Sequence, residues 1–463
     1  MSTLWSGRFD AAPDAAAFEW GSSFSFDRRL FEDDVTGSLA YARALAGAGV
    51  LSAAEASAIQ AALQDILERG RRDAAFIDGA DEDVHSFVER LLVERLGDAG
   101  KRLHTGRSRN EQVSLDLRLY LRRRIPLLQE QVARVIGALV DQARAAGDAL
   151  MPSYTHFRPA QPVLVAHYLM AHVAPLRRDY DRLAAARQEA DALTLGSGAI
   201  AGTSYAIDVD ALARDLGFSR VVANSIDASS DRDFAATFLY ASALTMVHLS
   251  RLAEDLIILC GDEHRFFEFS DALSTGSSMM PQKKNPDPLE LVRGKSGRAI
   301  GQLTTLLTIL KGLPSGYNKD LQEDKHAVFD AEDTLTGCVA VVASVVKGLT
   351  LNRDRAAAAA SGLLLATDVA DYLVGKGVPF RRSHEIVGAL VRKLVAEQRD
   401  FDGMTLDEWR AASDHFGPDV VARVTSAASV AAKRTPQSTA PAAVYAALSE
   451  VEGWLASLLP RKN

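Results

Sequence analysis

Residues 274–287, STGSSMMPQKKNPD, combine a Gly-Ser-Ser turn with two adjacent lysines and an asparagine. Successive backbone N–H groups in such a turn form a concavity that accepts an anion. Lys283 and Lys284 add positive charge, and Asn285 adds an amide donor. These residue types suit a ligand that carries or develops negative charge on oxygen. A solvated connection between two helices would have the same composition, so composition alone leaves both readings open.

Three other polar stretches interrupt apolar text. In residues 104–112, HTGRSRNEQ, Arg107 and Arg109 fall at the start of a long helical pattern. The helix dipole disfavours cations there by up to about 1 kcal/mol each. A bound carboxylate would reverse that penalty; the plain alternative is that both arginines reach into solvent. Residues 153–162, SYTHFRPAQP, hold Thr155 and His156 in a proline-bounded segment expected to form a rigid loop before the next helix. A lone histidine is more often structural than catalytic. Residues 316–325, GYNKDLQEDK, place Tyr317, Gln322 and Lys325 at a helix entrance that on its own reads as solvated surface. His156, His167 and His172 lack the i,i+4 spacing of a helical metal site, and no nearby Cys or Glu completes a ligand set, so no metal is expected.

The elements that must position these stretches are helices. Apolar residues recur with helical period through most of the chain, and alternating β-branched runs are scarce. Residues 110–148 read as one amphipathic helix, kinked at Pro126 and about 58 Å long at 1.5 Å per residue. Residues 229–260 are apolar around most of the helix circumference and must be buried on nearly all sides. A third long helix is expected from Asp287 to about Lys311, with Asp287 as cap, Pro288 in the first turn and Glu290 at the third position. Inside it, Gly294, Gly297 and Gly301 each cost about 1 kcal/mol relative to alanine. Close approach of another helix would explain them, and so would simple tolerance. Three such helices imply a long bundle whose apolar faces are covered by further copies of the chain. Domain boundaries are expected near Arg107 and Gly362, giving an N-terminal helical domain 1–107, a central long-helix domain 108–361 and a C-terminal helical domain 362–463.

Bulk properties narrow the partners. The 463 residues are 48% hydrophobic and carry a net charge of −8, from 52 basic and 60 acidic side chains. That balance offers no electrostatic footprint for nucleic acid or an anionic membrane. An anionic ligand must therefore be held by a local cluster of cations. Cys260 and Cys338 make no disulfide framework and fit a reducing, cytoplasmic setting. The apolar stretch 235–260 carries His248, Arg251, Glu254 and Asp255, which excludes an ordinary membrane span.

Gly276, Ser277, Ser278, Pro281, Lys283 and Asn285 match the fumarase/aspartase superfamily signature Gly-Ser-Ser-x-x-Pro-x-Lys-x-Asn at every position. With TGRSRN, THFRPAQP and YNKDLQEDK in this order, the chain resembles the argininosuccinate lyases over about residues 4–382. The resemblance includes LWSGRF at 4–9, DEDVH at 81–85, LGSGAIAGTSY at 195–205 and SIDASSDRDF at 225–234. It implies an all-α, L-aspartase-like fold and a homotetramer built on a twenty-helix core, with each active site drawn from three subunits. It also implies a cofactor-free β-elimination that converts argininosuccinate to arginine and fumarate. In that reaction Ser277 matches the base and His156 the acid, with Glu290 orienting the imidazole; Glu290 cannot also dominate as a capping residue. Lys283 and Asn285 match donors that stabilise the dianionic intermediate. Ser23, Arg109, Asn110, Thr155, Tyr317, Gln322 and Lys325 match substrate-binding positions, and Asp27 is a further candidate for the arginine end. A serine is a poor base unless its surroundings are strongly electropositive, which Lys283 and the loop amides would supply. The chain departs from the family pattern at Glu111, where aspartate is usual, and at Gln437 and Ser438, where a Gly-Gly pair commonly precedes Thr439. Adenylosuccinate lyase and fumarase share the Gly-Ser-Ser loop but are not expected to combine RSRN with YNKDLQEDK. A crystallin-like structural homologue and a carboxylate-binding regulatory module are the readings from other classes.

Overall fold

A computed structural model of the chain describes residues 14–458; the LWSGRF stretch lies outside them. Helices dominate, and the strands form only short two-stranded pairs, so the fold is all-α. Among the described residues five helices exceed twenty residues: α1 (Arg109–Ala146), α2 (Val165–Glu189), α3 (Asp233–Cys260), α4 (Asp287–Leu310) and α5 (Asp324–Lys347).

Local hydrogen bonds to the first N–H groups set where three of these helices begin. At α1, the Ser108 hydroxyl accepts the Asn110 N–H at 3.2 Å while Glu111 reaches back to the Ser108 N–H at 3.1 Å. Ser108 thereby caps the helix, and α1 continues through Pro126 for 38 residues. The helix expected to start at residue 229 starts instead at Asp233. Residues Ser225–Ser230 form a separate short helix, and Asp231 accepts the Asp233 N–H at 2.7 Å to begin the next. At α4 the cap falls one residue earlier than expected. The Pro286 carbonyl accepts N–H groups from Leu289 and Glu290, at 2.9 and 3.2 Å. Asp287 is therefore the first helical residue, not the cap, and Glu290 sits one position too late to close a capping box. At Gly294, Gly297 and Gly301 an added Cβ would meet nothing within 4 Å among the described residues. No segment of the same chain approaches closely enough there to require glycine.

The chain divides into two compact units. The first comprises residues 1–129, 181–244 and 297–335. Its helices Phe31–Gly47, Ala53–Arg72 and Val84–Leu96 pack on one another around the rings of Phe24, Phe31, Phe76 and Phe87. The second comprises residues 130–180, 245–296 and 336–463 and has a C-terminal core that includes Leu373, Leu390, Phe401, Trp409 and Phe416. Within it the segment expected as a loop forms a hairpin, β1 (Leu150–Thr155) with β2 (Arg158–Leu164). The buried Thr439 hydroxyl accepts the Leu164 N–H at 2.8 Å, so the departure at Gln437 and Ser438 leaves this tie in place. Neither cysteine is in a disulfide, and among the described residues no single helix is long and apolar enough to cross a membrane.

Candidate active site

In the second unit, residues 274–287 fold as a loop closed at its root. The strands β3 (Thr275–Gly276) and β4 (Lys284–Asn285) pair antiparallel, Thr275 with Asn285 and Gly276 with Lys284. The Thr275 hydroxyl donates to Asp287 at 2.5 Å. The Lys284 ammonium lies 3.0 Å from Glu268 and 2.9 Å from Asp271, and it also donates to the Phe269 carbonyl. Lys284 therefore anchors the loop, while its neighbour Lys283 is exposed. At the tip, Ser277 Oγ accepts two backbone N–H groups, from Met279 at 3.2 Å and Met280 at 3.0 Å. The nest expected from the Gly-Ser-Ser turn thus points at the serine's own oxygen. Donors aimed at an oxygen favour its charged form over its neutral one.

Thr155 and His156 stand at the tip of the β1–β2 hairpin, both exposed. His156 and Phe157 form its two-residue turn with φ of 53° and 57°. Tight hairpin turns need positive φ at both central residues, and Asn-Gly supplies it with least strain. A histidine and a phenylalanine held there are strained, and such strain persists only where the surroundings enforce it. Among the described residues no hydrogen bond or ion pair joins His156 to Ser277 or to Glu290. The Glu290 carboxylate instead lies 3.7 Å from Arg293, whose guanidinium also binds Glu254.

The first unit gathers Ser23, Asp27, Arg109, Tyr317, Gln322 and Lys325. Asp27 is buried, and both its oxygens are engaged, by the Ser23 hydroxyl at 2.5 Å and the Val84 N–H at 2.9 Å. Burial pushes its carboxyl up, while the charges of His85 and Lys325 pull it down. Arg109 donates to Asp83 at 2.7 Å and to Ser86 at 3.1 Å. Against the upward push of burial, His85 and Arg109 hold the Asp83 carboxyl below its ordinary value. Lys325, buried, donates to Asp324 at 2.8 Å. The half-buried Tyr317 hydroxyl is pushed up to about 12, by burial first and then by the charge of Asp324; Asp83 adds to this, and Arg232 and Arg109 oppose it. Tyr317 thus lies within charge range of both cation–acid pairs. Gln322 donates to the Gly21 carbonyl at 3.3 Å, and Asn110 more weakly to the Ala199 carbonyl at 3.4 Å. Of the two arginines expected at the α1 entrance, neither simply extends into solvent. Arg107 is buried, donates to Ser38 at 3.0 Å and covers the Tyr41 ring.

The acids Asp83 and Asp324 were not singled out by the sequence reading, although both lie inside its quoted stretches, DEDVH and YNKDLQEDK. The acid runs around them, DED at 81–83 and ED at 323–324, are the signal that could have pointed to them. Asp34, His85 and Asp116, all buried, are the described side chains of metal-ligating type that converge, with ligating atoms within 4.8 Å of one another. His85 Nδ1 is hydrogen-bonded to Asp34 at 2.8 Å and lies 3.3 Å from Asp116, whose two oxygens have no hydrogen-bond partner among the described residues. Despite its burial, Asp34 is held low by its His85 hydrogen bond, whereas burial and the Asp34 charge push Asp116 well above the carboxylate range. The set therefore reads as one carboxylate and one neutral acid flanking the imidazole.

A family described as Lyase matches residues 7–301, and one described as Argininosuccinate lyase C-terminal matches residues 363–431. The chain is 48% identical over 459 residues to an argininosuccinate lyase of Moorella thermoacetica, covering 98% of each. It is 50% identical over 449 residues to one of a Roseiflexus species, covering 95% of this chain and 97% of the relative. Among solved structures it is similar to EDDS lyase in complex with formate, with a TM-score of 0.83, 26% identity, and coverage of 97% of this chain and 93% of that one. A fumarate lyase from Mesorhizobium sp. BNC1, at 20% identity, shares the fold with a TM-score of 0.76, covering 94% and 97% of the two chains.

Proposed function

The chain belongs to the argininosuccinate lyase family, and from that premise we propose which residues perform the reaction and how the site is assembled. The activity is that of an argininosuccinate lyase, a step of arginine biosynthesis in which argininosuccinate yields arginine and fumarate. Ser277 removes a proton from the succinyl carbon next to a carboxylate, and the negative charge moves onto that carboxylate as it becomes dianionic. Lys283, Asn285 and the loop amides stabilise it, the same logic as an oxyanion hole. His156, with Glu290 as its orienting partner, protonates the departing guanidino nitrogen. Ser23, Arg109, Asn110, Thr155, Tyr317, Gln322 and Lys325 bind the substrate, and Asp27 lies beside them.

The observation that carries the base assignment is the pair of amide donors on Ser277 Oγ, at 3.0 and 3.2 Å. They supply locally the electropositive surroundings that a serine base requires. The same proposal includes a cytoplasmic homotetramer whose active sites draw on three subunits. Its support is the exposure, on the single chain, of Leu291, Ile300 and Leu307 along α4, together with the open space beside Gly294, Gly297 and Gly301. Exposed apolar and glycine positions on a long helix suit close packing against another copy.

Fumarate release from argininosuccinate, followed in the ultraviolet, tests the activity; release from adenylosuccinate alone would overturn it. Mixing Ser277→Ala with His156→Ala subunits tests the shared site, and part of the activity should return in hybrids. Hybrids shown by mass to have formed, yet inactive, would mean that each site is built within one chain.

A further inference from the structure

The stretch SIDASSDRDF contains an arginine that the reaction as described does not use. Arg232 is buried, and its Nε donates to Asp324 at 2.5 Å. Its Nη1 donates to the Asp231 carbonyl at 2.8 Å, and its Nη2 is buried without a partner among the described residues. The other oxygen of Asp324 receives the Lys325 ammonium at 2.8 Å. One carboxylate, itself fully buried, is therefore shared by two buried cations. Asp324 and Lys325 are the first two residues of α5. The helix dipole favours the acid there and disfavours the lysine, so Lys325 does not take this position on local preference. An ammonium on a four-carbon stem is also a flexible point charge. The geometry holds it nonetheless, because Asp324 is fixed from the far side by a planar guanidinium that is tied in turn to the backbone at Asp231. Despite its burial, the charges of Lys325 and Arg232 keep the Asp324 carboxyl low, so it stays ionised as the clamp requires.

We propose that Arg232 and Asp324 form a buried clamp that fixes the Lys325 ammonium where it meets a substrate carboxylate. Both are positioning residues, acting through Lys325 and not by contact with substrate. Arg232 secures Asp324 in one rotamer, Asp324 fixes one hydrogen of the ammonium, and the remaining two are left for the ligand. The inference rests on the substrate-binding reading of Lys325.

Steady-state kinetics on the full-length enzyme test it. Lys325→Met should raise KM about tenfold, and Asp324→Asn and Arg232→Gln should each raise it several-fold, with smaller changes in kcat, as expected when substrate binding is lost. Arg232→Lys, which keeps the charge but loses the planar tie to the Asp231 carbonyl, should undo only part of the rise seen in Arg232→Gln. In the Lys325→Met background, Asp324→Asn and Arg232→Gln should add less than about twofold, because residues acting through one another are not additive. A clamp that only supported the fold would give full additivity, and that result overturns the proposal. So does a rise in KM for Lys325→Met with none for the other two. An unchanged KM in Lys325→Met removes the binding reading of Lys325, and the clamp with it. Where Asp324→Asn does not fold, Arg232→Gln is judged by the same criteria.

Discussion

The cations proposed to bind substrate, in the first unit, and the loop proposed to carry the base, in the second, are built on opposite plans. Arg109 and Lys325 each lie against an acid that is itself largely buried, Asp83 and Asp324, at 2.7 and 2.8 Å. Ser277 and Lys283 lie on a loop whose tip is exposed, and the serine oxygen is engaged only by amides two and three residues along. A buried charge is costly unless paired. A cation that must stay in one place out of water therefore needs a fixed counter-charge before any ligand arrives. A base activated by its own loop's amides needs no distant partner, and the loop can be anchored at its root by Lys284 while its tip stays open. The first plan ties substrate binding to the stability of the fold, and the second separates catalysis from it.

The largest expected effect breaks that contrast if it fails. Ser277→Ala should lower kcat by about a thousandfold, within the range of general-base catalysis. Unfolding should shift by less than about 1 kcal/mol, since the lost hydrogen bonds are local and open to water. Fumarate release and a thermal melt on the same preparation measure both. A variant that retains a tenth of the activity removes Ser277 from the base role. A melt lowered by many degrees would mean that the exposed loop is tied to the fold after all.

The first unit should respond in the opposite sense, through stability and pH. Glu111 is fully buried and receives N–H groups from Ser108 and Gly198, at 3.1 and 2.9 Å. Burial outweighs those bonds and raises its carboxyl from 4.5 to about 7. The folded chain therefore holds this proton between pH 4.5 and 7, while the unfolded chain releases it. Stability from this group is greatest below 4.5 and falls as pH rises to 7, by about 3 kcal/mol in total. Denaturant midpoints at pH 5 and pH 8 should show that loss relative to Glu111→Gln, in which it is absent. Equal pH dependence in the two chains would show that Glu111 is ionised throughout and that the pocket tolerates buried charge better than the comparison holds.

Much of this was legible in the sequence, for reasons that differ by region. The long helices were readable because a 3.6-residue apolar period persists over many turns, and their limits fall within a few residues of expectation. Where they differ, a local bond decides, as when Asp231 begins a new helix or the Pro286 carbonyl takes the cap. The 274–287 loop was readable as a motif because the residues proposed to act there are close together in the chain. The hairpin at 150–164 was not, because Pro152, Pro159 and Pro162 are poor strand residues and read as a loop. The partners of Arg109 and Asp324 were hidden for another reason. Asp83 is 26 residues from Arg109, and Arg232 is 92 from Asp324, so only the fold pairs them. At Glu111, where the family pattern has aspartate, the sequence did not show the bonds to the Ser108 and Gly198 N–H groups, because the Gly198 partner is 87 residues away.

The smallest effect sharpens the comparison at the hairpin, where strain takes the place of paired charge. An L-residue in the left-handed region costs roughly 1–2 kcal/mol, and Phe157, at φ 57° and 85% exposed, recovers little of that by burial. Phe157→Gly removes the strain but adds freedom to the unfolded chain, which offsets part of the gain. The net expectation is stabilisation by about 0.5–1 kcal/mol. The same change at Arg158, which lies in the extended strand β2, should destabilise by a similar amount, because there glycine brings only the entropy cost. Denaturant midpoints of the two variants therefore move in opposite directions if the turn is strained. If both fall, Phe157 is held by packing that its exposure does not reveal, and His156 owes its position to contacts and not to an enforced backbone.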